Sequence, residues 1–169
     1  MTERLQIVDD NDNPIGAATR EEAWAKGLTL RHAYIVLRDS EGNYLLQQRS
    51  KFKKNSPGIW TWAATGHVDE GETYDIAANR ELFEEIGVKA ELSLVGKMRS
   101  THPNEFGVLD CFICVYTAPI DRDTNIVVDP KEVETTRWFS PTELAEQITK
   151  EPDSFTRNMR KTYAEFFDT

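Results

Sequence analysis

Residues 66–88, GHVDEGETYDIAANRELFEEIGV, constrain the fold of this 169-residue chain more tightly than any other stretch. Gly66 and Gly71 bracket a tight loop, Thr73 is suited to cap a helix start, and Gly87 suits the left-handed position that ends one. Between them Ala78, Leu82 and Ile86 recur at helical spacing and form an apolar stripe. Glu81, Glu84 and Glu85 are spaced i, i+3, i+4 and fall within one arc beside it. The helix must therefore pack one flank on a core and present carboxylates on the other. Repulsion between Glu81 and Glu85 costs only a few tenths of a kcal/mol, so it does not by itself separate a functional site from a solvated face. The rigid loop before the helix and the abrupt stop after it favour a site.

The rest of the chain supplies mostly strands. Residues 4–8 and 15–18 flank DDNDNP and read as a hairpin, and TREEAWAKG follows as a short helix. HAYIVLRD and YLLQQRS, separated by SEGN, read as a second hairpin. WTWAATGHV is one more strand, running into the acidic helix. ELSLVGKMRS, VLDCFICVYTA and TTRWFS are further strands, while SPTELAEQI and DSFTRNMRKTYAEFF are helices. Short turns between neighbours predict an antiparallel or mixed sheet with helices packed on it, an α+β sandwich. Residues 1–169 are expected to form a single domain, with the hairpin and short helix of residues 1–30 packed on it.

Two local patterns invite a metal and decline it. DDNDNP resembles a calcium loop, but counting from Asp9 the sixth position is Pro14 and the twelfth Arg20, where Gly and Glu are needed; a solvated turn is the reading. Cys111 and Cys114 form a CxxC inside a strand, where residues three apart point to opposite faces, so both are read as buried packing residues.

A net charge of −9 excludes bulk nucleic-acid and anionic-membrane binding. An anionic small molecule must then be held by local bases or by a bridging cation. RSKFKK offers Arg49, Lys51, Lys53 and Lys54 as such bases. Trp60 and Trp62 can stack on a planar ligand or fill the core. No apolar run is long enough to span a bilayer and the N-terminus lacks a signal-peptide pattern, so the cytoplasm is the expected compartment.

Gly66, Glu72, Arg80, Glu81, Leu82, Glu84, Glu85, Gly87 and Val88 match every fixed position of the Nudix box, and the chain is identified on them as a member of that superfamily. The resemblance implies a Nudix-type α/β/α sandwich with a mixed sheet. It implies that Glu81, Glu84 and Glu85, with Gly66, hold Mg²⁺ (or Mn²⁺), that Glu81, Glu84, Glu85 and Arg80 serve catalysis, and that Arg80 and Glu72 brace the loop against the helix. The first hundred residues, VDDNDNPIGAATREEAWAKGLTLRHAYIVL and LLQQRSKFKKNSPGIWTWAATGHV among them, resemble the isopentenyl diphosphate isomerase branch and its hydrolase-like relatives. On that resemblance Arg49 and Lys53 fall where the diphosphate is bound. His67 aligns with a metal-binding histidine, and Arg31 takes the place of another beside His32. Thr65, however, stands where the isomerases hold a catalytic Cys, and their later catalytic Glu has no counterpart in GVLDCFICVY. These departures rank hydrolysis of a nucleoside diphosphate derivative first, by water attack on phosphorus. Isomerisation, or a Nudix-fold module that binds a phosphorylated metabolite without turnover, comes after it. The expected partner is a small-molecule diphosphate, with no nucleic acid and no membrane, and the chain a monomer or homodimer.

Overall fold

The computed structural model describes residues 2–168; positions 1 and 169, the ends of the expected domain, lie outside the described residues. Its organising element is the long strand β3 (Thr29–Arg38), of which every side chain but Arg31 and Arg38 is buried. One edge of β3 pairs in succession with β1 (Leu5–Val8), β6 (Ala64–His67) and β4 (Tyr44–Arg49), all antiparallel. The other edge runs parallel to β8 (Gly107–Pro119) over its whole length, which makes the sheet mixed. Outer strands complete it: β2 (Pro14–Ala18) on β1, β7 (Ser93–Asn104) on β8, and β5 (Trp60–Trp62) and β9 (Val133–Phe139) on β4.

Side chains alternate across a strand, and β3 divides the core accordingly. Leu30, Tyr34 and Val36 pack with Trp24 of α1 (Arg20–Lys26), Leu144 of α3 (Pro141–Lys150), and Met159 and Tyr163 of α4 (Arg157–Phe166). Ala33, Ile35 and Leu37 face the other way, onto Ala77, Ala78, Leu82 and Ile86 of α2 (Tyr74–Ile86). The described residues thus form an α/β/α sandwich of nine strands and four α-helices. The stripe read from the sequence of α2 is wholly buried, each large side chain contributing about 1.5–3 kcal/mol by leaving water. Among the described residues, no helix is long and apolar enough to cross a membrane.

Three elements differ from their sequence reading. WTWAATGHV is two strands, because the chain changes partner at Ala63: β5 follows β4, and β6 follows β3. The C-terminal helix begins at Arg157 under a Thr156 cap, after a 3-10 turn at Pro152–Ser154. The DDNDNP turn is not wholly solvated. Asp12 sits at a positive φ of 63° and its side chain is only 7% exposed. Its carboxylate accepts hydrogen bonds from Arg31 Nε and Lys97 Nζ, both at 2.7 Å, and from the Tyr74 hydroxyl.

Cys111 and Cys114 lie on opposite faces, one in each half of the core, and both are unpaired. Burial pushes each thiol up to about 12, so neither is a nucleophile near neutrality.

Candidate active site

The loop and helix of residues 66–88 are assembled around Arg80. Thr73 caps α2 by accepting from the Ile76 N–H at 3.3 Å, and Gly87 ends it at a φ of 69°. Next to Glu81 and one turn before Glu84, Arg80 donates to both oxygens of Glu72 at 2.9 and 2.8 Å and to the His67 carbonyl at 3.0 Å. It also reaches Glu81 at 2.8 Å and Glu84 at 3.3 Å. Glu72 in turn accepts from the Asp69 N–H at 3.0 Å. A bidentate guanidinium–carboxylate pair of this kind fixes geometry as well as charge. It locks the glycine loop to the helix.

The three glutamates, equivalent by spacing, are not equivalent in place. Glu84 is more than half exposed and turns to Arg80. Glu81 lies directly over the backbone of Gly66, where a Cβ would come within 2.0 Å of its carboxyl group. Only glycine permits that approach. Glu85 is buried beneath the open edge of β6, and its Oε2 accepts from the Thr65 N–H at 3.0 Å and from Gln47 Nε2 at 2.5 Å. Burial pushes both Glu81 and Glu85 well above the usual carboxylate range; for Glu81 the negative charge of Glu85 adds to it, and for Glu85 the two hydrogen bonds work against it.

These residues border a cavity of about 800 Å³ whose walls come from widely separated parts of the chain. α2 and β6 supply Glu81, Glu85, Thr65 and Gly66. The end of β4 and the loop after it supply Arg49, Lys53 and Lys54, while α1 and the β7–β8 hairpin supply Trp24, Phe106 and Leu109. Further wall residues come from β3, β5, residues 129–132 and the start of α4. Arg49 and Lys53 are thus brought to the same cavity as the carboxylates, as the sequence suggests. Neither is idle: Arg49 donates to the carbonyls of Asn55 and Ser56 at 2.9 and 3.0 Å, and Lys53 pairs with Glu132. Trp62 is fully buried and donates to Thr162, and Trp60 packs on Phe139; neither borders the cavity.

His32 and His67 are cross-strand partners with ring centroids 4.2 Å apart, and His102 borders the same cavity. The Nε2 atoms of His32 and His67 are buried without a hydrogen-bond partner. Burial pushes His32 down to about 3 and His67 well below its usual value, with Arg20 and Arg49 adding to the effect on both. Arg31 does not replace a metal ligand here, since it points to the opposite face and binds Asp12. Asp110, the acid in GVLDCFICVY, is occupied by Arg99, Thr101 and Thr29.

Among the described residues, no three His, Cys, Asp or Glu side chains converge as they would around a bound ion. The donor set at Glu81 and Glu85 nevertheless fits a hard divalent cation. Both offer carboxylate oxygens, both are desolvated, and a cation between them would offset the repulsion that raises their proton affinity. Sequence reasoning missed Gln47, Trp24, Phe106 and Asn158 as cavity or supporting residues. Gln47 alone carried a signal, as an amide between Leu45 and Arg49 on the face that strand alternation assigns to the core.

Topology, loop and helix together define a Nudix domain. The family model for the NUDIX domain matches residues 28–165, and the chain belongs to that family, whose members use divalent metals generally. Over 158 residues it is 34% identical to isopentenyl-diphosphate Delta-isomerase 2 of Photorhabdus laumondii, covering 92% of this chain and 88% of the relative. It is also 34% identical over 158 residues to the isopentenyl-diphosphate Delta-isomerase of Serratia proteamaculans, covering 92% and 87%. Among solved structures, a Deinococcus radiodurans protein superposes with a TM-score of 0.82 at 24% identity, covering 98% of this chain and 99% of that one. That likeness shows the fold.

The relatives overturn the expectation of a diphosphohydrolase acting on a nucleoside diphosphate derivative. That ranking rests on Thr65 and an unplaced Glu, whereas the likeness to proteins named isomerases spans most of the chain. A hydroxyl in place of a thiol changes one side chain; it leaves loop, helix and cavity walls as they are.

Proposed function

We propose that this chain is a divalent-cation-dependent Nudix enzyme of the isopentenyl-diphosphate isomerase branch. It would move a double bond in a small alkenyl diphosphate, with isopentenyl diphosphate the first substrate to test. The observation that carries this reading is a cavity whose wall combines charged and apolar side chains. Glu81, Glu85, Arg49 and Lys53 are among the first; Trp24, Tyr34, Leu109 and Phe106 are among the second, with Trp24 and Phe106 stacked at 5.5 Å. An alkenyl diphosphate likewise combines a charged head with an apolar chain.

In this reading Glu81 and Glu85 would hold a divalent cation, Mg²⁺ or Mn²⁺, whose positive charge would offset that of the diphosphate. Arg80 keeps Glu81 aimed into the cavity. Arg49 and Lys53 bind the phosphate oxygens, Lys53 exchanging Glu132 for them. Double-bond migration needs a proton delivered at one carbon and removed from another. We assign these transfers to the wall where Thr65 stands beside Tyr34 on the neighbouring strand, with the Glu81 carboxyl beyond it. The N-terminal hairpin and α1 act with the rest as one unit, a view supported by the pairing of β1 with β3 and by Trp24 in the cavity wall.

The test is incubation with isopentenyl diphosphate and Mg²⁺ in heavy water, followed by mass spectrometry. Dimethylallyl diphosphate carrying deuterium is expected. Neither product nor exchange at stoichiometric enzyme would sink the proposal.

A further inference from the structure

Gln47 is a buried amide where strand alternation calls for an aliphatic side chain. It lies in the interior of β4, 1% exposed, with Thr61 and Thr136 as cross-strand neighbours. Leu45, two residues earlier on the same face, belongs to the core beneath α2. A leucine at position 47 would fill that space without a polar group to satisfy. The amide is retained at a cost, and both hydrogens of its Nε2 are in use. One goes to the carbonyl of Ala63 at 3.0 Å, at the point where the chain changes strands. The other goes to Glu85 Oε2 at 2.5 Å.

The consequence for Glu85 is an asymmetry between its two oxygens. Oε2 accepts from Gln47 and from the Thr65 N–H, two donors fixed by the sheet. Oε1 has no protein donor among the described residues, yet it is not a sealed, unpartnered atom, and Glu85 borders the cavity. We infer that Gln47 is a positioning residue. It clamps one oxygen of Glu85 so that the other alone is offered to a divalent cation, and it ties that oxygen to the Ala63 strand break.

The choice of a neutral donor matters. An arginine or lysine at this position would satisfy Glu85 more strongly but would place a positive charge beside the cation. An amide orients the carboxylate and leaves its charge unspent. Outer partners of metal ligands of this kind are worth about ten- to hundredfold in metal affinity.

The inference rests on the reading of Glu85 as a cation ligand, and the experiment separates the two. Mn²⁺ binding is measured by calorimetry on the wild type, Gln47→Leu, Glu85→Gln and the double variant, with thermal melting of each. Gln47→Leu is expected to weaken Mn²⁺ binding at least tenfold while the protein still melts cooperatively, at a somewhat lower temperature because the Ala63 carbonyl and Glu85 Oε2 lose a donor. In the Glu85→Gln background the same change should have no further effect on Mn²⁺, since there is no carboxylate left to position. Gln47→Met, of similar length and without a donor, should behave as Gln47→Leu does and guards against a packing artefact. If the wild type binds Mn²⁺ and Gln47→Leu binds it equally well, Gln47 only fills space and the inference fails alone. If the wild type does not bind Mn²⁺, the cation reading fails and takes the inference with it.

Discussion

The chain has two acidic regions that look alike in sequence, the turn Asp9–Asn13 and the helical run Glu81–Glu85, and the fold treats them in opposite ways. Asp12 is buried against cations. Burial alone would raise its proton affinity, but Lys97, Arg31 and Tyr74 more than reverse that and hold it below the usual carboxylate range. Glu85 is buried against an amide and a backbone N–H, which only moderate the effect of burial. A carboxylate matched with cations is consumed by the structure; one held by neutral donors keeps its appetite for positive charge. The turn, which ties β2, β3, α2 and β7 together, is scaffold, whereas the helix holds Glu85 with no cation among the described residues hydrogen-bonded to it.

The most severe break in this comparison should come from Asp12→Ala. It strands the Arg31 guanidinium, whose side chain is 12% exposed, and losing one partner of such a largely buried pair costs about 3 kcal/mol, the low end for buried pairs. Urea denaturation should show that loss, while Mn²⁺ affinity of the folded protein changes by less than about twofold, because Asp12 does not border the cavity. Glu85→Gln should do the reverse. Removing the charge should weaken Mn²⁺ binding by about a hundredfold, roughly 2.7 kcal/mol, and chelation of the metal should abolish turnover. Unchanged Mn²⁺ affinity in Glu85→Gln would erase the distinction between the two regions.

Arg49→Ala and Lys53→Ala extend the contrast to cations. Each is expected to lower kcat/KM by about ten- to hundredfold through the loss of a charged hydrogen bond to phosphate. Lys51→Ala, outside the cavity wall, should change it by less than about twofold. Equal small effects in all three would make the segment a solvated loop. Thr65→Cys sharpens the comparison further, because the Thr65 backbone N–H that holds Glu85 stays in place while the side chain becomes a better proton donor. We expect isomerisation to rise by about tenfold, with Mn²⁺ affinity unmoved. No gain would place the proton transfers elsewhere.

The smallest effect is one of sign. Asp12 has a folded-state value below the ordinary 3.8, so its stabilisation is present above that pH and lost as pH falls through the lowered value. Glu81 and Glu85 lie above the ordinary 4.5, so the metal-free native state retains protons that the unfolded chain has lost. Stability of the metal-free protein should therefore decline as pH rises from about 4.5 through neutrality, and a divalent cation should remove that slope. Denaturation curves across the acid and neutral range, with and without Mn²⁺, test both signs. A metal-free protein whose stability rose over that interval would contradict the assignment for Glu81 and Glu85.

Much of the site was legible before any coordinates. Thr73, Gly87 and the stripe of Ala78, Leu82 and Ile86 act within one helix, and local capping and periodicity specify them. The spacing of Gly66, Glu72, Arg80, Glu81, Glu84 and Glu85 identified the Nudix family for the same reason, since a loop and a helix are short-range structures. Even the opposed faces of Cys111 and Cys114 followed from strand alternation. Other features depend on which distant strands meet. Asp12 reads as solvated in its own turn because Arg31 and Lys97, which bury its charge, arrive from β3 and β7. Gln47 reads as an ordinary strand residue because Glu85 lies 38 positions away along the chain. Likewise the sequence makes Glu81, Glu84 and Glu85 a set, but only the open edge of β6 decides that one is buried, one lies over a glycine and one faces water. Local interactions suffice to specify the carboxylates, their helix and their loop; which carboxylate is left without a paired cation depends on burial and charge compensation, and those are properties of the neighbours that folding supplies.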